Sequence, residues 1–451
     1  MDSDAKTVGS QPRTLLSVPD GIFLVVGMVV GVGIFKLPAL VAGNTSGTTQ
    51  FVLAWLLGGA VSLCGALVYA ELSARHPDTG GEYAFLTRGF GRGAGFLFAW
   101  SRMTVIQTGA IAAVAFAFGD YASEIHRIGE KSSAFYAALG VIALTLLNIA
   151  GTLQSKSLQK GMQIALLTAV VLLSLAALLL PEVPKPATAG GSGTGAFGLA
   201  MIFVLFTFGG WNEAAYLAGE VRDARRNMLR ILIWGIVAVT ALYLLVNAAY
   251  LVALGLDGIR GSKAVAADVM RLYAGERGAA LLALVVCISA LTTMNAAIFT
   301  GARTNFAFGR DFPLFGLLGT WRETGSTPAN ALMVQGLIAL ALIGAGSVTP
   351  DGFGAMVAYT APVFWTFFLL TGLTLFVFRA RDGGFGAADP VFRVPLHPLV
   401  TLAFIAMCAY MLWSSIDYIR NPDFGPKFGD LVVAGIVIMA AGIPLYFLNR
   451  K

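Results

Sequence analysis

The groups best placed to do chemistry in this chain belong to the backbone. Two pairs of glycines each lie in the middle of a long apolar stretch. The first is in Val29-Val30-Gly31-Val32-Gly33-Ile34-Phe35-Lys36-Leu37-Pro38, the second in Phe206-Thr207-Phe208-Gly209-Gly210-Trp211-Asn212-Glu213. Glycine costs about 1 kcal/mol in a helix interior relative to alanine, so each pair favours an unwound turn there. Close helix packing is the other common use of such glycines. An unwound turn exposes N–H groups at the start of one half-helix and carbonyls at the end of the other. The N–H groups can hold an anion and the carbonyls a cation. A zwitterion matches both ends at once, with no charged side chain needed.

The side chains offer less. Glu213 follows the second break directly; it is either a proton-carrying carboxylate or a group facing an outer aqueous vestibule. Glu71, at the end of another apolar stretch, reads as half of a structural pair. His76, His126 and His397 stand near stretch ends or in loops, and neither H-E-x-x-H nor G-x-S-x-G occurs, which disfavours a membrane-embedded enzyme. No repeated filter motif suggests a channel. Cys64, Cys287 and Cys408 lie inside apolar stretches without C-x-x-C spacing and read as small buried hydrophobes.

The elements that position these groups must be membrane helices. Of 451 residues, 57% are hydrophobic and 12% charged, against roughly 25% charged in soluble domains. Stretches long enough to span a bilayer, about 20 residues each, fall near 20–43, 51–74, 94–122, 133–151, 161–180 and 196–219, then 228–254, 278–308, 329–346, 352–379, 396–417 and 429–448. These twelve segments form one membrane domain over 1–451, since nothing between them is long enough to fold separately. The net charge of +6 comes without a basic run interleaved with aromatics, so no nucleic-acid partner is expected. With a cytoplasmic N-terminus, 19 lysines and arginines fall inside and 9 outside, leaving Lys36 and Arg102 within segments. The excess predicts a multi-pass cell-membrane protein with both termini cytoplasmic. Segments one and six, which carry the breaks, each open a set of five. Interrupted helices at matching positions of two halves point to a transporter built from inverted repeats, with its site at the bilayer midplane.

At these residues the sequence resembles the amino acid–polyamine–organocation superfamily, and within it the L-type amino acid transporter branch. The likeness runs through Gly31-Val32-Gly33-Ile34-Phe35, Tyr69-Ala70-Glu71-Leu72 and Gly80-Gly81-Glu82-Tyr83. It continues through Gly209-Gly210-Trp211-Asn212 with Glu220 and Arg226-Asn227, then Ser262-Lys263-Ala264-Val265-Ala266 and Gly442-Ile443-Pro444-Leu445-Tyr446. It implies an all-α LeuT-type fold of about twelve helices, with a 5+5 inverted repeat: repeat one over 20–180, repeat two over 196–379, and two appended helices over 392–448. It also implies secondary transport or exchange of neutral L-amino acids by alternating access. A cationic amino acid or a polyamine is the alternative cargo.

The resemblance assigns roles residue by residue. The substrate carboxylate would meet the N–H groups of Val32 and Gly33, and the ammonium the carbonyls of Val29, Phe206 and Gly209. Phe206 would close over the ligand from outside, and Asn212 would shape the side-chain pocket. Relatives often carry serine at Val32, so a hydroxyl contact is lost here while the backbone contacts remain. Relatives often place a lysine in segment five where sodium-coupled members of the wider fold hold an ion. Leu166 aligns there, which would leave an oxygen-lined niche of Gly27, Val30, Ser289, Thr292 and Thr293. Such oxygens suit sodium, although membrane serines and threonines commonly bond their own helix; a proton through Glu213 is the other coupling ion, and no further cofactor is implied. Animal relatives pair with a heavy chain through a cysteine in the loop after segment three. The loop 120–132 has none, so no heavy-chain partner is expected.

Overall fold

The computed structural model describes residues 17–76, 81–151, 156–179, 193, 195–212, 221, 224–323, 326–381, 392–420 and 426–449. Among these residues the chain is helical, with no β-strand. Nine helices are long and apolar enough to cross a bilayer, and ten if the bent pair Val18–Val29 and Gly33–Gly43 counts as one. They occupy the expected positions of ten of the twelve segments. Two shorter apolar helices, Gln163–Leu179 and Phe197–Thr207, stand where segments five and six were expected.

Packing sorts the helices into two groups. Both halves of segment one lie along segment seven (Ala224–Gly261), which also lies along segment two (Thr48–Arg75), and Phe197–Thr207 packs on segment two and on the second half of segment one, Gly33–Gly43. Segments three (Arg92–Ile125) and four (Ser132–Ile149) pack with segments eight (Val265–Asp311) and nine (Ala329–Gly346). Each group therefore joins two consecutive helices of the first half with the two that lie five positions later. Large apolar side chains face outward, as with Leu146, Leu172, Leu337 and Val437. That surface suits lipid contact, where water would disfavour it.

The charges inside this apolar body are paired. Lys36, on the second half of segment one, sits 2.8 Å from Asp120 of segment three and 3.7 Å from Asp351 before segment ten, and donates to the Lys263 carbonyl at 3.2 Å. Glu71 is fully buried and is held by Arg379 through a two-pronged contact (2.8 and 2.5 Å), by Arg75 at 2.8 Å and by the Val394 N–H at 2.7 Å. The structural role expected for Glu71 is what these contacts show: it fastens segment two to segment ten (Gly352–Arg381) and to the stretch leading into segment eleven. Segment three contains a π-helical turn, Arg102–Ile106. Nothing in its sequence announces the turn, because no glycine or proline stands there.

Candidate functional site

Segment one breaks where its glycines predict. The first half ends at Val29, Val30 is extended (φ −76°, ψ 105°), and the second half begins at Gly33 after a bend of 57°. Helix Phe197–Thr207 ends just before Phe208-Gly209-Gly210, after which the chain turns helical again at Trp211 and Asn212. Gly210 has φ +109°, a conformation that side chains with a Cβ disfavour, and a Cβ there would collide with the Met28 carbonyl oxygen. A Cβ on Gly33 would lie 3.3 Å from the Cα and Cγ2 of Thr207. The two breaks thus face each other at near backbone contact. Gly210, more than Gly209, is the glycine of the second pair that this close approach requires.

Three carbonyls at the breaks lie within reach of donors. The Tyr243 hydroxyl, buried on segment seven, lies 3.0 Å from both the Val29 and the Thr207 carbonyl oxygens. The Gly209 N–H donates to the Phe206 carbonyl at 3.0 Å. A carbonyl oxygen has two lone pairs, so each can accept a second donor. Sequence reasoning missed Tyr243, which shares its helix with Thr240, Asn247 and Tyr250 and is not marked out from them by its sequence context. Its ring packs edge-on against Phe208 (4.9 Å) and Trp55 (5.7 Å), which fixes the hydroxyl between the two breaks.

Phe206 is half-buried, and its ring stands edge-on to Phe353 of segment ten at 5.9 Å. Beyond the second break lies a narrow cleft, with room for about one water molecule, lined by Val61, Leu205, Gly209, Asn212, Phe364 and Trp365, among others. Its floor is aromatic: Trp211 meets Tyr69 edge-on at 5.2 Å, Phe368 at 5.5 Å and Phe404 at 6.0 Å. Asn212 is the one amide among the described lining side chains, and its Nδ2 donates to Glu82 at 3.2 Å.

The niche read as a sodium site looks different. Leu166 is buried, but it is Gln163, one turn earlier, whose side-chain amide donates to the Gly27 carbonyl. The Thr292 hydroxyl donates to the Ile288 carbonyl of its own helix at 2.9 Å, Ser289 is half-buried, and Thr293 is exposed. Val30 is buried. Gly27 is therefore occupied by a neutral donor where the alignment at Leu166 suggested an empty place. Glu213 and Glu220 lie outside the described residues. Among the described residues no group of three or more His, Cys, Asp or Glu side chains could hold a metal ion.

Comparison with known proteins gives the same reading along nearly the whole chain. A family model described as amino acid permease matches residues 16–441. The chain is 27% identical over 440 residues to the serine/threonine exchanger SteT of Bacillus subtilis (strain 168), covering 95% of each protein. It is 28% identical over 396 residues to the b(0,+)-type amino acid transporter 1 of Homo sapiens, covering 83% of this chain and 79% of that protein. Against the large neutral amino acids transporter small subunit 2 of Rattus norvegicus it is 28% identical over 451 residues, covering 94% and 79%. These relatives are transporters, not enzymes, and the protein belongs to the amino acid permease family, as an amino acid transporter of the APC superfamily in its L-type-like branch.

Proposed function

We propose that the protein exchanges or takes up neutral L-amino acids across the cell membrane by alternating access, holding the zwitterion at the two facing breaks. The observation that carries this reading is the backbone approach of Gly33 to Thr207 and of Gly210 to Met28, which gathers opened N–H and carbonyl groups of both helices at one place. The carboxylate would sit on the N–H groups of Val32 and Gly33. The ammonium would sit on the carbonyls of Val29, Phe206 and Gly209, and the side chain in the cleft beside Asn212. A cleft lined by Trp, Phe, Val and Leu supports a neutral cargo over a cationic one. Phe206, beside the second break and against segment ten, would close the site from outside.

The grouping of segments one and two with six and seven, and of three and four with eight and nine, supports a 5+5 inverted repeat with two appended helices. The excess of inside lysine and arginine supports cytoplasmic termini. The absence of a cysteine in the loop 120–132 supports action without a heavy chain. Sodium at Gly27 would have to displace the Gln163 amide, so the arrangement favours transport that does not need sodium.

In proteoliposomes, uptake of a labelled neutral amino acid should be saturable and stimulated by the same amino acid inside. It should be equal in sodium and choline buffers, and Phe206→Ala should weaken apparent affinity. Linear, unstimulated uptake would reject the transport reading; a sodium requirement would reject only the coupling.

A further inference from the structure

Of the ion pairs among the described residues, the one between Glu82 and Arg102 touches the cleft. Glu82 opens the short helix Glu82–Phe90, which connects segments two and three, and its side chain is about 5% exposed. One carboxylate oxygen accepts the Asn212 amide at 3.2 Å, and the other lies 3.7 Å from Nη1 of Arg102, the first residue of the π-helical turn.

We propose that Glu82, backed by Arg102, fixes the orientation of the Asn212 amide so that the cleft selects neutral amino acids whose side chains donate a hydrogen bond. This rests on the reading that the cleft receives the substrate side chain. A carboxylate only accepts hydrogen bonds, whereas a side-chain amide has a donating and an accepting end. With Nδ2 turned to Glu82, the accepting Oδ1 is the end left for the cleft; the opposite orientation would set two acceptors against each other. Arg102 places a positive charge beside the buried carboxylate.

The remaining cleft side chains cannot supply that acceptor. Val61, Leu205, Phe364, Phe368 and Phe404 are apolar, and the indoles of Trp211 and Trp365 only donate. Among the described residues of the lining, the Asn212 oxygen is therefore the one side-chain acceptor. A hydroxyl or amide on the ligand satisfies it, while an aliphatic chain of the same size leaves it unpaired and desolvated. Glu82 and Arg102 are positioning residues, acting through Asn212.

Threonine and valine have nearly the same shape and differ by a hydroxyl, so their ratio reads the acceptor directly. In proteoliposomes the wild-type protein should favour threonine over valine by about tenfold in uptake efficiency, the size of one net hydrogen bond. In Glu82→Gln a neutral amide can meet either end of Asn212, and the ratio should fall to within about threefold. Arg102→Met should lower the ratio in the same direction, and Asn212→Leu, which removes the acceptor, should bring it to one or below. Equal uptake of threonine and valine by the wild-type protein would overturn the selectivity while leaving neutral amino acid transport in place. Glu82 and Arg102 variants that reduce both substrates by the same factor would overturn the positioning role. Uptake of neither amino acid would remove this proposal together with the reading beneath it.

Discussion

Replacing Gly33 with leucine is expected to abolish uptake while leaving folded protein in the membrane. The first atom of any side chain at this position would already press on the Cα of Thr207 at 3.3 Å, and a further three carbons would have to enter the place where the two breaks meet. Backbone cannot retreat there without pulling helix Phe197–Thr207 off segment two. The first N–H groups of the second half-helix would be covered in the same move. Loss of more than about a hundredfold in transport follows if these groups hold the substrate carboxylate, since a displacement of about 1 Å at a positioned site already costs about that factor. Labelled uptake, read beside surface expression and a monodisperse elution profile in detergent, separates loss of the site from loss of the fold. Uptake near the wild-type rate would mean that the carboxylate binds elsewhere.

The second large effect is on stability. Arg379→Ala should lower the thermal unfolding midpoint of the purified protein by several degrees. Removing one partner of a buried ion pair typically costs about 3–5 kcal/mol, because the remaining charge stays desolvated. Glu71 would keep Arg75 and the Val394 N–H, so the lower end of that range applies. Arg379→Lys should fall between the two proteins. An ammonium can compensate the charge but cannot make the two parallel contacts of the guanidinium. An unchanged midpoint in Arg379→Ala would show that the C-terminal ends of segments two and ten are held by packing alone.

Much of this architecture is written in composition. Apolar runs of bilayer length could be read directly, and a pair of glycines in a membrane segment was enough to locate each break to within a few residues. What could not be read depends on contacts between residues far apart in the chain. Tyr243 lies 36 residues from Thr207 and 214 from Val29, and only the folded arrangement brings its hydroxyl between their carbonyls. The Asn212–Glu82 contact spans 130 residues. Lys36 and Arg102 were visible as charges within membrane segments, but their partners were not. The side chain that reaches the Gly27 carbonyl is Gln163, one helical turn before Leu166, a difference that an alignment over an apolar stretch does not fix. Gly210 was passed over for Gly209 because identical residues in a pair carry no sign of which one takes the left-handed conformation.

The central claim is that one site recognises both charged ends of the substrate with backbone groups of two broken helices. Competition against labelled threonine uptake tests it most directly, using unlabelled threonine, its decarboxylated amine and its N-acetylated form. The zwitterion should compete at the concentration set by its own affinity, and each derivative, having lost one of the two charges, should compete at least about a hundredfold more weakly. Equal competition by either derivative would contradict the two-ended backbone site.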